Sequence, residues 1–232
     1  ERIRIDLPGE GDRNVFSDAV TGSGPALVLP HAIIPDVTYN RLLVVDEGLQ
    51  DLGALTPGVV AIDPVTGDRT IFSNANHGAG PNLKNPRDIT LEPANGLLFL
   101  VDDGLDDPPG GPSPAVMEIK LDTGDRRIIS NVQKGSGSRF PDLVGITFDA
   151  ARNRVLVTGN SPAAVMAVDL TPGATEGDRD VLSKSGIGSG QNFDDVRGID
   201  LDPDNGRAVV VDRGVLALFG VDLISGDRVI IS

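Results

Sequence analysis

The chain has 232 residues, 39% of them hydrophobic but only 3% aromatic, so the core of a single domain has to be built from Val, Ile and Leu. A formal net charge of −14 excludes a nucleic-acid partner, and no apolar run reaches the ~20 residues that membrane insertion requires. With no cysteine there is no disulfide framework or thiolate metal site, and 29 Gly with 17 Pro imply many turns.

In chain order, "RIRIDL" and "RNVFS" read as two alternating strands, Ile3–Leu7 and Val15–Ser17, joined by a turn that contains Gly11-Asp12-Arg13. That turn is written five times, with its glycine at Gly11, Gly67, Gly124, Gly177 and Gly226, at spacings of 56, 57, 53 and 49 residues. Each time a serine stands four residues after the arginine. Self-similarity at this period with strand patterns points to an all-β propeller of four-stranded antiparallel blades. The expected inner strands are Val37–Tyr39, Ile89–Leu91, Ile146–Phe148 and Ile199–Leu201, followed by turns such as "PANG" and "PDNG". Placing Val37–Tyr39 there gives the first unit a four-residue insertion before it and a four-residue deletion after it.

Apolar second strands such as "LLFLVD" follow, then alternating third strands such as "VMEIKLD". The Gly-Asp-Arg turn joins the third strand to the fourth. There Gly supplies a positive φ, Asp caps amides of the turn, and Arg opens an outer strand as a charge that protects an exposed edge. Leu27, Leu83, Phe140 and Phe193 recur as anchors between blades. The expected organisation is one domain, 1–232, with an incomplete outer pair (1–17) and four units at 18–73, 74–130, 131–183 and 184–232. That makes about four and a half blades, with the missing inner strands supplied by a continuation of the chain or by another subunit. The N-terminal Glu1 suits a processed product or a segment, and the composition suits a bacterial protein exported to the periplasm or the cell exterior.

The pattern "NPRDITLEPANGLLFLVDDG … VMEIKLDTGDRRIIS" resembles the propeller superfamily of NHL-repeat and gluconolactonase-like (senescence-marker-protein) chains. Their inner strands have the form Pro-X-Gly-Ile-X-hydrophobic-Asp. Here Gly145 and Gly198 keep the glycine, while Asp36 and Asp88 are the residues nearest that position in the other two units. The resemblance implies a propeller. In its gluconolactonase-like branch it also implies a divalent cation on the axis, held by Glu, Asn and Asp from inner-strand ends, and no clear counterpart of that branch's inner-strand Asn-Gly-Leu motif is present.

Inner-strand entries line a propeller's axial channel, and they offer Asp36, Arg87, Asp88 and Arg197, with His31 close by in sequence. These residues read either as a site for an anionic group or a cation–anion pair, or as mutually neutralising ion pairs. The second-strand exits carry Asp46, Glu47, Asp102 and Asp103, followed by Asp106 and Asp107. They read as oxygen ligands for calcium or another divalent cation, or as solvated acidic loops. His77 is the only other histidine. No nucleophile elbow or Walker loop is present.

Three functions fit this pattern. The first is a non-enzymatic module for recognition, adhesion or assembly with a protein or glycan partner. The second is a metal-dependent lactonase or esterase, with Asp36 and Asp88 as ligands and His31 as base. The third is a self-associating structural subunit.

Overall fold

In a computed structural model of the chain, residues 15–18, 20–105 and 113–232 are described. They form four antiparallel sheets, each of four consecutive strands in chain order. Blade one holds β1 (Pro30–Asp36), β2 (Arg41–Asp51), β3 (Ala54–Ile62) and β4 (Arg69–Ser73). Blade two holds β5 (Pro86–Glu92), β6 (Leu97–Leu105), β7 (Ser113–Lys120) and β8 (Arg126–Ser130). Blade three holds β9 (Asp142–Asp149), β10 (Arg154–Asn160), β11 (Ala164–Asp169) and β12 (Arg179–Lys184). Blade four holds β13 (Val196–Asp202), β14 (Arg207–Asp212), β15 (Ala217–Asp222) and β16 (Arg228–Ile230). The first strands pack in succession, β1 on β5, β5 on β9 and β9 on β13, and so form the inner layer.

The expected blades are present, with four complete sheets among the described residues rather than four and a half. Ile3–Leu7 lies outside those residues, and Val15–Ser17 is described but forms no strand.

The core lies between the blades, which explains why the second strands are unbroken apolar runs. In β6, Leu98 and Leu100 pack toward Leu43 and Val45 of blade one, while Phe99 and Val101 pack toward Val155 and Val157 of blade three. A strand buried on both faces has no polar side to alternate with. Ile33, at the repeat position of the buried Ile89, Ile146 and Ile199, is 62% exposed on the outer side of blade one.

The inner strand of blade one is Pro30–Asp36, not Val37–Tyr39, which forms the turn after it. In register, Asp36 pairs with Arg41 as Glu92 pairs with Leu97, Asp149 with Arg154 and Asp202 with Arg207. Units one and two therefore align without a gap from Gly24 on Gly80 through the second strand, and the expected four-residue insertion and four-residue deletion do not exist. Pro35 within β1 and the β-branched "DVTY" beyond it disguised this strand, since proline lacks the ladder donor expected of a strand residue.

The recurring turn is a latch between blades. Gly124 has φ 74°, and a Cβ there would overlap the Phe72 carbonyl oxygen of the preceding blade, so both conformation and space demand glycine. Asp125 Oδ1 accepts the Ala79 amide at 2.7 Å, in the segment that joins β4 to β5 rather than within its own turn. Arg126 is only 5% exposed, so the expectation of an exposed edge charge is wrong. Its Nη1 donates to Ser73 Oγ and to the His77 carbonyl, both at 2.8 Å, and its Nε donates to the Pro81 carbonyl at 2.7 Å. Ser73 Oγ in turn donates to the Gly124 carbonyl at 2.7 Å.

Arg179 with Ser130 and Arg228 with Ser183 repeat the arrangement. Arg69 holds Ser17 in the same way, so residues 15–17 stand in the place of a preceding fourth strand. The anchors lie beneath these guanidinium groups, with Arg179 5.2 Å over Phe140 and Arg228 5.3 Å over Phe193.

Candidate functional site

The gapless repeat makes His31, Arg87, Val144 and Arg197 equivalent, each near the start of an inner strand. The next position holds Ala32, Asp88, Gly145 and Gly198. At the second-strand exits, Glu47, Asp103, Asn160 and Arg213 correspond. Because inner strands pack side by side, these rings converge on a cavity of about 430 Å³ lined by His31, Arg87, Asp88, Asp103, Val144, Arg197 and Gly198.

Asp88 is the half-buried acid of this cavity. Its Oδ2 accepts the Ile146 amide of the next blade and its Oδ1 the Ile89 amide, each at 2.9 Å. Burial pushes its carboxyl up to about 6, the Asp200 carboxylate adds to the rise, and the two amide bonds oppose it. Burial likewise raises Asp103, whose Oδ1 accepts the Leu143 amide at 2.8 Å.

The basic groups are tied to carboxylates near the rim. Glu47 Oε2 lies 3.0 Å from His31 Nε2 and 3.4 Å from Arg87 Nη1. Arg197 Nη2 lies 2.9 Å from Asp195 Oδ2, which also pairs with Arg213 at 2.6 Å. Glu47 and Asp195 are 32% and 23% exposed, so both pairs are solvent-screened and exchangeable.

Glycine serves a different purpose at each of its two sites in this ring. A Cβ on Gly145 would collide with the Arg197 carbonyl, where Thr158 Oγ1 donates at 2.7 Å to hold blades three and four together. Gly198 faces open space instead. The motif that carried the family resemblance is thus a packing requirement in one blade and cavity floor in another.

Of the five residues expected on the axis, His31, Arg87, Asp88 and Arg197 line this cavity and Asp36 does not. Asp36 lies four residues beyond Ala32 along β1, roughly 13 Å away at strand rise. There it is 1% exposed and paired with Arg41 Nε at 2.8 Å. Asp46 and Asp102 spend their carboxylates on backbone amides. Asp46 accepts from Val28, Leu29 and Gly48, and Asp102 from Lys84, Asn85 and Gly104. Asp106 and Asp107 lie outside the described residues. Among the described residues no group of three or more His, Asp or Glu side chains is placed to hold a metal, and no helix is long and apolar enough to cross a membrane. His77 sits in the loop after β4, 3.2 Å from Asn74 Oδ1.

Asp195 and Arg213 escaped the sequence reading, as did the placing of His31 and Arg87 at one repeat position. Aligning Gly24 with Gly80 without a gap exposes the second of these.

No family model matches the chain, and no curated protein matches it in sequence. In structure it is similar to a chain of a nidogen/laminin complex, with TM-score 0.63 and 16% identity over 88% of this chain and 64% of that one. It is also similar to a gluconolactonase from Xanthomonas campestris, with TM-score 0.61 and 16% identity over 94% of this chain and 64% of that one. The chain thus spans 64% of the length of each. At this identity the likeness is one of fold, and the fold is a β-propeller.

Proposed function

We propose that the protein is a recognition module whose axial cavity binds a carboxylate-bearing ligand, either a sugar acid or an exposed acidic group of a glycan or protein. The observation that carries this reading is the convergence of Arg87 and Arg197, from equivalent positions on different blades, on one cavity that His31 also lines. A ligand carboxylate exchanges with the part-exposed Glu47 and Asp195 for these guanidinium groups, where bidentate geometry favours it. Protonated Asp88 then supplies a hydrogen-bond donor on the cavity floor, so binding tightens as pH falls through about 6. Titration calorimetry with glucuronate and succinate tests it. Saturable binding is expected, weakened at least ~tenfold in Arg197→Ala. Absence of binding, or equal binding by the variant, would defeat the reading.

A second reading, hydrolysis of a lactone or related ester, is favoured by Asp88 itself, a cavity carboxyl able to accept a proton near neutral pH. The axial Glu, Asn and Asp set for a divalent cation does not fit the described residues. Asp88 shares the cavity lining with Arg87 and Arg197, and Asp36 is remote, so no metal step belongs to this reading. Gluconolactone hydrolysis above background that is abolished in Asp88→Asn supports it, and activity that survives the substitution removes it.

A further inference from the structure

At the far end of the inner strands the blades share another contact, and one of them lacks it. Arg41 Nε pairs with Asp36 at 2.8 Å and its Nη2 donates to the Leu121 carbonyl of blade two at 2.8 Å. Arg154 pairs with Asp149 at 2.9 Å and donates to the Leu223 carbonyl of blade four at 2.9 Å. Arg207 pairs with Asp202 at 2.8 Å. In each case one guanidinium neutralises an acid closing the inner strand, and in the first two it also satisfies the carbonyl after the next blade's third strand. Blade two keeps the acid, Glu92, but pairs it in register with Leu97.

Two consequences are visible at the seam of blades two and three. Glu92 is only 7% exposed and has no ion-pair partner among the described residues, its side-chain contact being Asn95. The place of the missing arginine is a cavity of about 350 Å³ whose lining includes Glu92, Leu97, Phe99 and Leu170, the repeat equivalent of Leu121 and Leu223. Arg127 borders the same cavity but is spoken for. It donates two parallel hydrogen bonds to Glu118, with Nε to Oε1 at 2.7 Å, and its Nη1 donates to Glu176 at 2.8 Å.

We propose that this seam binds a guanidinium group on an alkyl stem, supplied from outside the chain. The guanidinium takes Glu92 and the Leu170 carbonyl as Arg41 and Arg154 take theirs, while the stem lies on Leu97 and Phe99. A buried carboxylate with no ion-pair partner among the described residues makes the cation's arrival favourable, and the apolar Leu97 and Phe99 beside it select a planar, weakly hydrated cation over an ammonium. The source is a free arginine-like molecule or an arginine side chain of a peptide, and both present this group.

Titration of the intact chain with N-acetyl-arginine methylamide, its lysine counterpart and a short peptide with a central arginine tests the proposal. The arginine compound is expected to bind saturably, at least ~tenfold more tightly than the lysine compound. The peptide binding more tightly than the single residue identifies a peptide source, and equal affinity a free molecule. Leu97→Arg, which refills the seam from within, should abolish this binding and raise the thermal midpoint, and Glu92→Gln should weaken binding at least ~tenfold. No binding to the unaltered chain overturns the proposal. So does undiminished binding by Leu97→Arg, or a lowered midpoint or loss of folding in that variant, because each shows that the seam has no place for a guanidinium.

Discussion

The latch turns and the axial strand starts come from the same repeat, yet one is nearly invariant and the other diverges at almost every copy. At the latch, Gly-Asp-Arg and the distant Ser recur because each atom meets a fixed partner on the neighbouring blade, a carbonyl, an amide or a hydroxyl. At the axis, one position reads His31, Arg87, Val144 and Arg197, and the next Ala32, Asp88, Gly145 and Gly198. Neighbouring blades make one demand of every copy, whereas a ligand on the axis meets the copies together and can use them unequally. In this chain uniformity marks structure and divergence marks the candidate site.

The comparison can be broken most forcefully at the latch. Arg126→Ala removes three hydrogen bonds donated by a charged group across a buried seam and leaves the Pro81 carbonyl without its guanidinium donor, and a loss of about 3–5 kcal/mol is expected in denaturant unfolding. A loss below about 1 kcal/mol would mean that the guanidinium is not holding the blades together. Gly124→Val combines a strained positive φ with overlap on the Phe72 carbonyl, for an expected loss of about 3 kcal/mol. An unchanged thermal midpoint would contradict that assignment.

At the axis the sign reverses. Asp88 holds its proton up to about pH 6 in the folded chain but only to 3.8 as an unperturbed group, so the folded state binds more protons between those values. Its contribution is therefore full below pH 4 and lost as pH rises through 6, which leaves a deficit of up to about 3 kcal/mol at pH 7. Asp88→Asn should raise stability at pH 7 by part of that amount and leave it unchanged near pH 4. A stabilisation that does not depend on pH would show that Asp88 does not titrate as described. Arg197→Ala removes only a screened rim pair, and a change within about 0.5 kcal/mol is expected from the same unfolding experiment.

The sequence carried the fold because the latch is written in residues with narrow uses, a positive-φ glycine at a fixed distance from a serine, and because the second strands of blades two and three are buried on both faces. Its partners were not legible. Asp125 looks like a turn cap and Arg126 like an exposed charge until the preceding blade is in place, and only then does each find its acceptor or donor. The axis was half legible. Arg87, Asp88 and Arg197 stand out at strand starts, but Pro35 hid the first inner strand. That placed Asp36 with Asp88, when its counterparts are Glu92, Asp149 and Asp202. The same slip concealed Leu97 as the odd residue in a row of arginines.

The most direct test of the contrast between latch and axis is a backbone amide chemical-shift map recorded while the chain is titrated with glucuronate at pH 5.5. Shifts are predicted around His31, Arg87–Ile89, Val144–Ile146 and Arg197–Gly198, with the turns at Gly67, Gly124, Gly177 and Gly226 unmoved. Shifts concentrated on those turns, with the axial amides silent, would contradict the account.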